Sequence, residues 1–376
     1  VTGVQTCALP ILPDRRCARF GRAICIYMFL LSFSGCAQIG YYAQSIRGQL
    51  DIWAREKPIA DIIGDSVSPA LLREKLALVL KARAFASDEL GLPRNQSYRR
   101  YADLERPYVV WNVFATPEFS TTPVQWCFVM AGCVNYRGYF AKADADAFAA
   151  QAAASGHDIH VGGVAAYSTL GWFADPVLNT FAHYPPVELA RLIFHELSHQ
   201  VVYVKDDSVF NESFAVAVER EGVKRWIAQH GSSQDRQTFE QMQKRRADFV
   251  SLVTDYRARL DTLYRQRLAP DAMRLEKQRL LAGMRQDYQA LRVEWGNFAG
   301  YDRWFAQPPN NALLASVAIY TQRVPAFEAM LREHNHDLPR FFEAVKALAR
   351  LDRAARDAAL DRYVAGADTG RANHAP

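Results

Sequence analysis

Two histidines four residues apart stand in the middle of an apolar run, RLIFHELSHQVVY, and nothing else in the chain restricts its fold as tightly. On a helix, side chains at i and i+4 share one face, one turn apart. Two imidazoles on an otherwise apolar face are costly unless paired or metal-bound. The run therefore predicts a buried helix, starting near Pro186, that presents His195 and His199 to one metal ion. Glu196 lies one residue from His195, so its carboxylate reaches beside the metal, to the bound water. This is the arrangement of a zinc hydrolase: the metal lowers the pKa of bound water from about 16 towards 7, and the glutamate takes the proton as attack begins.

A catalytic zinc needs a third protein ligand and one open position. Glu212, in FNESFA, stands thirteen residues beyond His199, in the first turn of a predicted second helix, NESFAVAVEREGVKRWIAQH. There it can face back towards the first helix. Asp206, Asp207, Glu219 and Glu221 are rival ligands. Glu219, two turns further along the same face, is a candidate to orient a ligand histidine, with a solvated surface role as the alternative. Two imidazoles, a carboxylate and a water suit one Zn2+ ion best.

Half of the 376 residues are hydrophobic and 12% are aromatic, so the chain can bury a substantial core and is not globally disordered. Its formal charge of +5 is mostly local: Arg15, Arg16, Arg19 and Arg22 against Asp14 leave about +2 for everything after residue 35. That is too little for charge-driven nucleic-acid binding. The first eleven residues, VTGVQTCALPI, resemble the translation of a sequencing-library adapter. Beyond them come a basic stretch, an apolar run AICIYMFLLSF too short to span a bilayer, and FSGC. FSGC resembles a bacterial lipobox, whose cysteine, here Cys36, is acylated to form a lipid anchor. Ala37 after it favours the outer membrane, with the protein facing the periplasm. Cys127 and Cys133 then form an isolated pair in an oxidising compartment, read as a disulfide with two free thiols as the alternative.

The expected fold class is α+β, mainly helical. Residues 1–35 are adapter-like sequence and signal peptide, 36–230 a catalytic region with a small mixed sheet, 231–299 a helical hairpin arm, and 300–376 a helical region completing the catalytic domain. SPALLREKLALVLKARAFASDELGL reads as a helix capped by Ser68. YVVWNVFA, VQWCFVM and CVNYRGYF read as strands, with an alanine-rich helix over 142–155 after them. Asp158 to Phe173 reads as a further strand, with Gly162 and Gly163 marking a bulge or a close backbone approach. From Phe239 an apolar stripe begins, lapses for one turn at Arg246, resumes through Phe249, Val253, Tyr256, Leu260 and Leu263, and repeats after Pro270. Two long helices in an antiparallel hairpin explain it, as a structural or docking arm. The tail after about Asp368 is expected to be disordered.

NESFA resembles the NEGFA-type segment that supplies the third ligand in the aminopeptidase N family, with a shorter gap between the two helices. More widely, WCFVMAGCVNYRGYF, VGGVAAYSTLGWFADPVLNT, IFHELSHQ, FNESFAVAVEREGVKRW and NNALLASVAIYTQRVPAF resemble a bacterial family of predicted zinc aminopeptidases, lipoproteins of the gluzincin type. The resemblance runs from Cys36 to about the end of DRYVAGA. It implies a zincin-like catalytic domain that hydrolyses peptides, with zinc on His195, His199 and Glu212 and Glu196 as general base. In gluzincins an edge strand before the active-site helix pairs with substrate, a position held here by Gly162, Gly163 and Tyr167. Related enzymes often stabilise the oxyanion with a tyrosine, for which Tyr320 is the first choice and Tyr167 and Tyr203 are alternatives. GGVAAYSTLGW carries no acid to hold a substrate amino group, leaving Asp175, Asp207 or Glu219. An endopeptidase with the same site, or a non-catalytic envelope assembly factor working through the hairpin, are the alternative functions.

Overall fold

The computed structural model describes residues 40–128, 132–166 and 168–372. Cys36, expected to carry the lipid anchor, and Tyr167 lie outside them. The chain divides into two units, Val1–Asp51 and Ile52–Pro376. In the first, residues 40–51 are helical. The second carries the strands and the site-bearing helices.

Its strands are β1 (Lys57–Pro58), β2 (Arg100–Ala102), β3 (Val110–Pro117), β4 (Trp126–Phe128), β5 (Gly132–Val134), β6 (Arg137–Tyr139), β7 (His157–Val164) and β8 (Val177–Leu178). Its longer helices are α1 (Ala70–Asp88), α2 (Lys142–Ala154), α3 (Pro186–Ser198), α4 (Ser208–His230), α5 (Ser233–Tyr264), α6 (Pro270–Glu294), α7 (Asn311–Thr321), α8 (Val324–Glu333), α9 (Leu338–Ala349) and α10 (Arg353–Ala372). Mainly helical with small mixed sheets, the fold is α+β. No helix among the described residues is long and apolar enough to cross a membrane.

The sheet that matters for the site has the order β6-β3-β7, antiparallel throughout, which leaves β7 on an edge. The β3–β7 register runs without a break from Val110 opposite Val164 to Pro117 opposite His157, so Gly162 and Gly163 form no bulge. A Cβ on Gly163 would lie 2.3 Å from the Tyr108 ring, so that glycine answers a close side-chain approach. The predicted strand stops at Val164. Beyond it Leu170 and Gly171 take φ of 58° and 80°, and Ser168 and Thr169 turn to bind Asp175. CVNYRGYF likewise divides into β5 and β6. Cys127 and Cys133 face each other across the β4–β5 pair and are joined as a disulfide.

Helix α1 begins one residue later than its predicted cap requires. Pro69 occupies the cap position in extended conformation, while the Ser68 hydroxyl donates to Asp65 instead. Helices α1, α3, α4, α8 and α9 share one core, filled by Leu76, Phe85, Phe194, Phe214, Phe327 and Phe341. The α5–α6 hairpin has a core of its own in which Val253, Tyr256, Leu260, Met284 and Tyr288 interdigitate and Leu314 of α7 joins them. Pro270 does not merely interrupt the stripe: it starts α6, where the missing N–H costs nothing. The hairpin's first apolar residue, Phe239, packs on the larger core rather than on its own. At the other end α10 continues to Ala372, past the expected start of a disordered tail.

Candidate metal centre and active site

Helix α3 forms because Pro186 presets its first turn, Glu188 complements the N-terminal dipole, and Leu189, Ile193, Phe194 and Leu197 give it an apolar face. His195 falls in its last turn and His199 is its C-terminal cap residue. Both rings and Glu196 are buried, with the two imidazole centroids 5.0 Å apart and nearly perpendicular. Helix α4 crosses close by. A Cβ on Gly222 would come within 2.8 Å of the Phe194 ring, so this approach depends on glycine.

The segment NES divides its work among three residues. Asn211 is buried and bonds the Val204 N–H and carbonyl at 2.8 Å each, tying the α3–α4 loop back onto α4. Ser213 accepts from the Arg323 N–H at the turn between α7 and α8. Glu212 points between them at the histidines: its Oε2 is 3.2 Å from His195 Nε2 and 3.7 Å from His199 Nε2. One donor atom from each of His195, His199 and Glu212 lies within 4.8 Å of the others. Two imidazoles and a carboxylate converging at that range form a donor set a divalent metal fits.

Behind His195 stands Glu219, fully buried, whose Oε2 is 2.9 Å from His195 Nδ1. The same oxygen accepts from Arg191 Nη1 at 2.8 Å, and Oε1 accepts from Arg246 Nη1 at 3.1 Å. Burial works against the Glu219 carboxylate, but Arg191, His195 and Arg246 outweigh it and hold its pKa far below the ordinary range. His195 is drawn down by burial, yet its hydrogen bonds to Glu212 and Glu219 raise its pKa to about 10. His199, by contrast, is lowered by burial to about 4. Glu212 is kept low against burial by His199 and His195. Glu196 goes the other way: burial pushes it up to about 7, opposed by His195 and assisted by Glu212 and Asp175.

Tyr320 lies in the last turn of helix α7, which Asn310 and Asn311 fix in place. Asn310 caps the helix and donates to the Ile159 carbonyl of β7, while Asn311 donates to the Glu118 carbonyl just past β3. Burial, then the charges of Glu212 and Glu196, raise the Tyr320 phenol well above its usual range, which places it in the field of both carboxylates. Tyr203 also feels Glu212, after burial, from the α3–α4 loop.

The rival ligands are engaged elsewhere. Asp206 accepts from the Cys133 N–H, and Glu221 pairs with Arg225 and approaches His336. Asp207 caps α4 through the Phe210 N–H and forms a buried pair with Arg356 at 2.7 Å. Four further residues surround the cluster, and of these the sequence assigns a role only to Asp175, as a candidate to hold a substrate amino group. Arg191, one turn before His195, and Arg246 both brace Glu219. Asp175 is buried, receives the Thr169 N–H and the Ser168 hydroxyl, and is raised by burial to about 6. Tyr98, held at φ 64° and buried, has a phenol raised first by burial and then by Glu196 and Asp175. Of the other three, only Arg246 leaves a sign in the sequence, as the lapse in the hairpin's apolar stripe.

No curated protein and no solved structure is similar enough to count as a match. A family model described as "Putative aminopeptidase" matches residues 40–360, a span that holds every residue of the buried histidine–glutamate cluster. With so much of its length matched, the chain belongs to that putative aminopeptidase family.

Proposed function

We propose that the protein is a zinc-dependent metallopeptidase of gluzincin type, an aminopeptidase with a zincin-like catalytic domain. The observation that carries this is the convergence of His195, His199 and Glu212 within 4.8 Å, with Glu196 buried on the same helix as His195. His195, His199 and Glu212 would hold one zinc ion, which supplies Lewis acidity towards a peptide carbonyl and makes water acidic enough to attack near neutral pH.

The chain's own groups do the rest. Glu196, raised to about 7, accepts the proton of the attacking water and returns it to the departing amine. Tyr320 donates to the oxyanion, its phenol kept protonated by burial and by Glu212 and Glu196. Glu219 bonds His195 Nδ1 and so fixes the ring with Nε2 towards Glu212. The edge strand β7, which carries Gly162 and Gly163, would offer the substrate backbone a partner. Cys36 would carry the lipid anchor that keeps the enzyme on the outer membrane, facing peptides in the periplasm.

One observation favours endopeptidase action by the same site. Asp207 is neutralised by Arg356, and Glu219 by Arg191 and Arg246, so neither is available to hold a substrate amino group. Asp175 remains, its carboxylate met by two uncharged donors of its own loop, the Thr169 N–H and the Ser168 hydroxyl. Zinc titration followed by cleavage of matched peptides with free and acetylated N-termini tests the reading. The aminopeptidase reading expects one zinc per chain and cleavage confined to free amines. Equal cleavage of blocked peptides would leave an endopeptidase, and zinc binding without cleavage would remove the enzyme reading altogether.

A further inference from the structure

Glu219 is the most heavily bonded carboxylate near the metal centre, and its two oxygens are used differently. Oε2 is shared by His195 Nδ1 at 2.9 Å and Arg191 Nη1 at 2.8 Å, both from α3. Oε1 accepts from Arg246 Nη1 at 3.1 Å, and that arginine comes from α5, the first helix of the hairpin. A fully buried carboxylate costs several kcal/mol unless its charge and lone pairs are met. The network therefore has a contribution from each of three helices: α3 offers the ligand histidine, α4 the carboxylate, α5 the second arginine.

Arg246 is not where hairpin packing would put an arginine. The apolar stripe runs through Phe239 before it and Phe249, Val253 and Tyr256 after it. Phe239 packs against the catalytic core, while Phe249 belongs to the hairpin's own core. The lapse at Arg246 thus falls where the hairpin passes from one core to the other, beside Glu219. A second tie joins the hairpin to the substrate side: Lys277 of α6, itself buried, donates to Asp158 of β7 at 2.7 Å and to the Glu118 carbonyl at 2.8 Å.

Taking the zinc reading as its premise, we infer that Arg246 is a positioning residue of the metal centre, so that the hairpin helps set the metal affinity of the site. Arg246 holds Oε1 and so keeps the carboxylate from turning its other oxygen away from His195. Without it, Glu219 remains tethered through Oε2 alone, and the imidazole loses part of its orientation. Partners in the shell behind a ligand typically change metal affinity about 10- to 100-fold.

The test uses the full chain and Zn2+ or Co2+ alone, with dissociation constants measured by competition against a chromophoric chelator. Arg246→Gln should weaken zinc about 10-fold or more and shift the Co2+ ligand-field spectrum, in protein that circular dichroism and its metal-free thermal transition show to be folded under the assay conditions. Arg246→Lys should recover most of the affinity. Lys244→Gln, which removes the same charge from an exposed pair with Asp248 on the same helix, should change nothing. In a Glu219→Gln background, Arg246→Gln should cost little more. Wild-type affinity in Arg246→Gln, or an equal further loss in the Glu219→Gln background, overturns the inference. Zinc binding that is absent in the wild type, or survives His199→Ala unchanged, overturns the metal-site reading itself.

Discussion

Asp175 and Glu196 are carboxylates raised by burial, and they answer different needs. As the proposed general base, Glu196 has to exchange a proton near neutrality, which a pKa of about 7 suits. Asp175 receives the Thr169 N–H and the Ser168 hydroxyl, yet burial still lifts its pKa from 3.8 to about 6. Its folded-state pKa lies above its unfolded value, so between pH 4 and 6 the folded chain holds the extra proton. Stability from this group is therefore greatest at low pH and declines as pH rises through about 6. In urea unfolding across pH 4 to 7, the wild type should lose on the order of 2–3 kcal/mol relative to Asp175→Asn. Parallel curves for the two proteins would show that Asp175 titrates normally.

At the scale of elements, placement of the site rests on how α4 begins. Asp207 caps the helix and also neutralises Arg356 of α10, and both side chains are buried. Asp207→Ala should cost about 3–5 kcal/mol, because it leaves the arginine buried and unpaired. Chemical denaturation would measure the loss; a change below about 1 kcal/mol would mean water reaches the arginine easily. The helices themselves were legible in the sequence because their apolar periodicity was strong, and the His195–Glu196–His199 spacing pointed to one face. Glu212 was readable as an acid early in the next helix. Asn211 and Ser213 were not, since their roles depend on Val204 and Arg323, which periodicity cannot bring near. The segment after Val164 misled for a related reason. Its apolar residues suit a strand, but Ser168 and Thr169 find a better acceptor in Asp175, and the chain turns at Leu170. Ser68 failed as a cap because the Asp65 carboxylate takes its hydroxyl.

Across the whole molecule, the hairpin expected as a structural or docking arm is tied in at two points, Arg246 to Glu219 behind the histidines and Lys277 to Asp158 of β7. Helix α7 bonds β7 through Asn310, joins the hairpin core through Leu314 and carries Tyr320, so hairpin and edge strand are tied to a helix whose tyrosine feels the charges of Glu212 and Glu196. A sequence can show that two helices pair; it does not show which side chain reaches past the pairing. The proposed role of Glu196, taking a proton from water beside a metal held by its neighbours, is isolated by Glu196→Gln. The substitution keeps the size of the side chain and removes its basicity. Peptide cleavage at saturating zinc should fall about 10²- to 10⁴-fold while zinc affinity stays within a few-fold of wild type. A Glu196→Gln protein that binds zinc and cleaves at the wild-type rate would exclude Glu196 as the base.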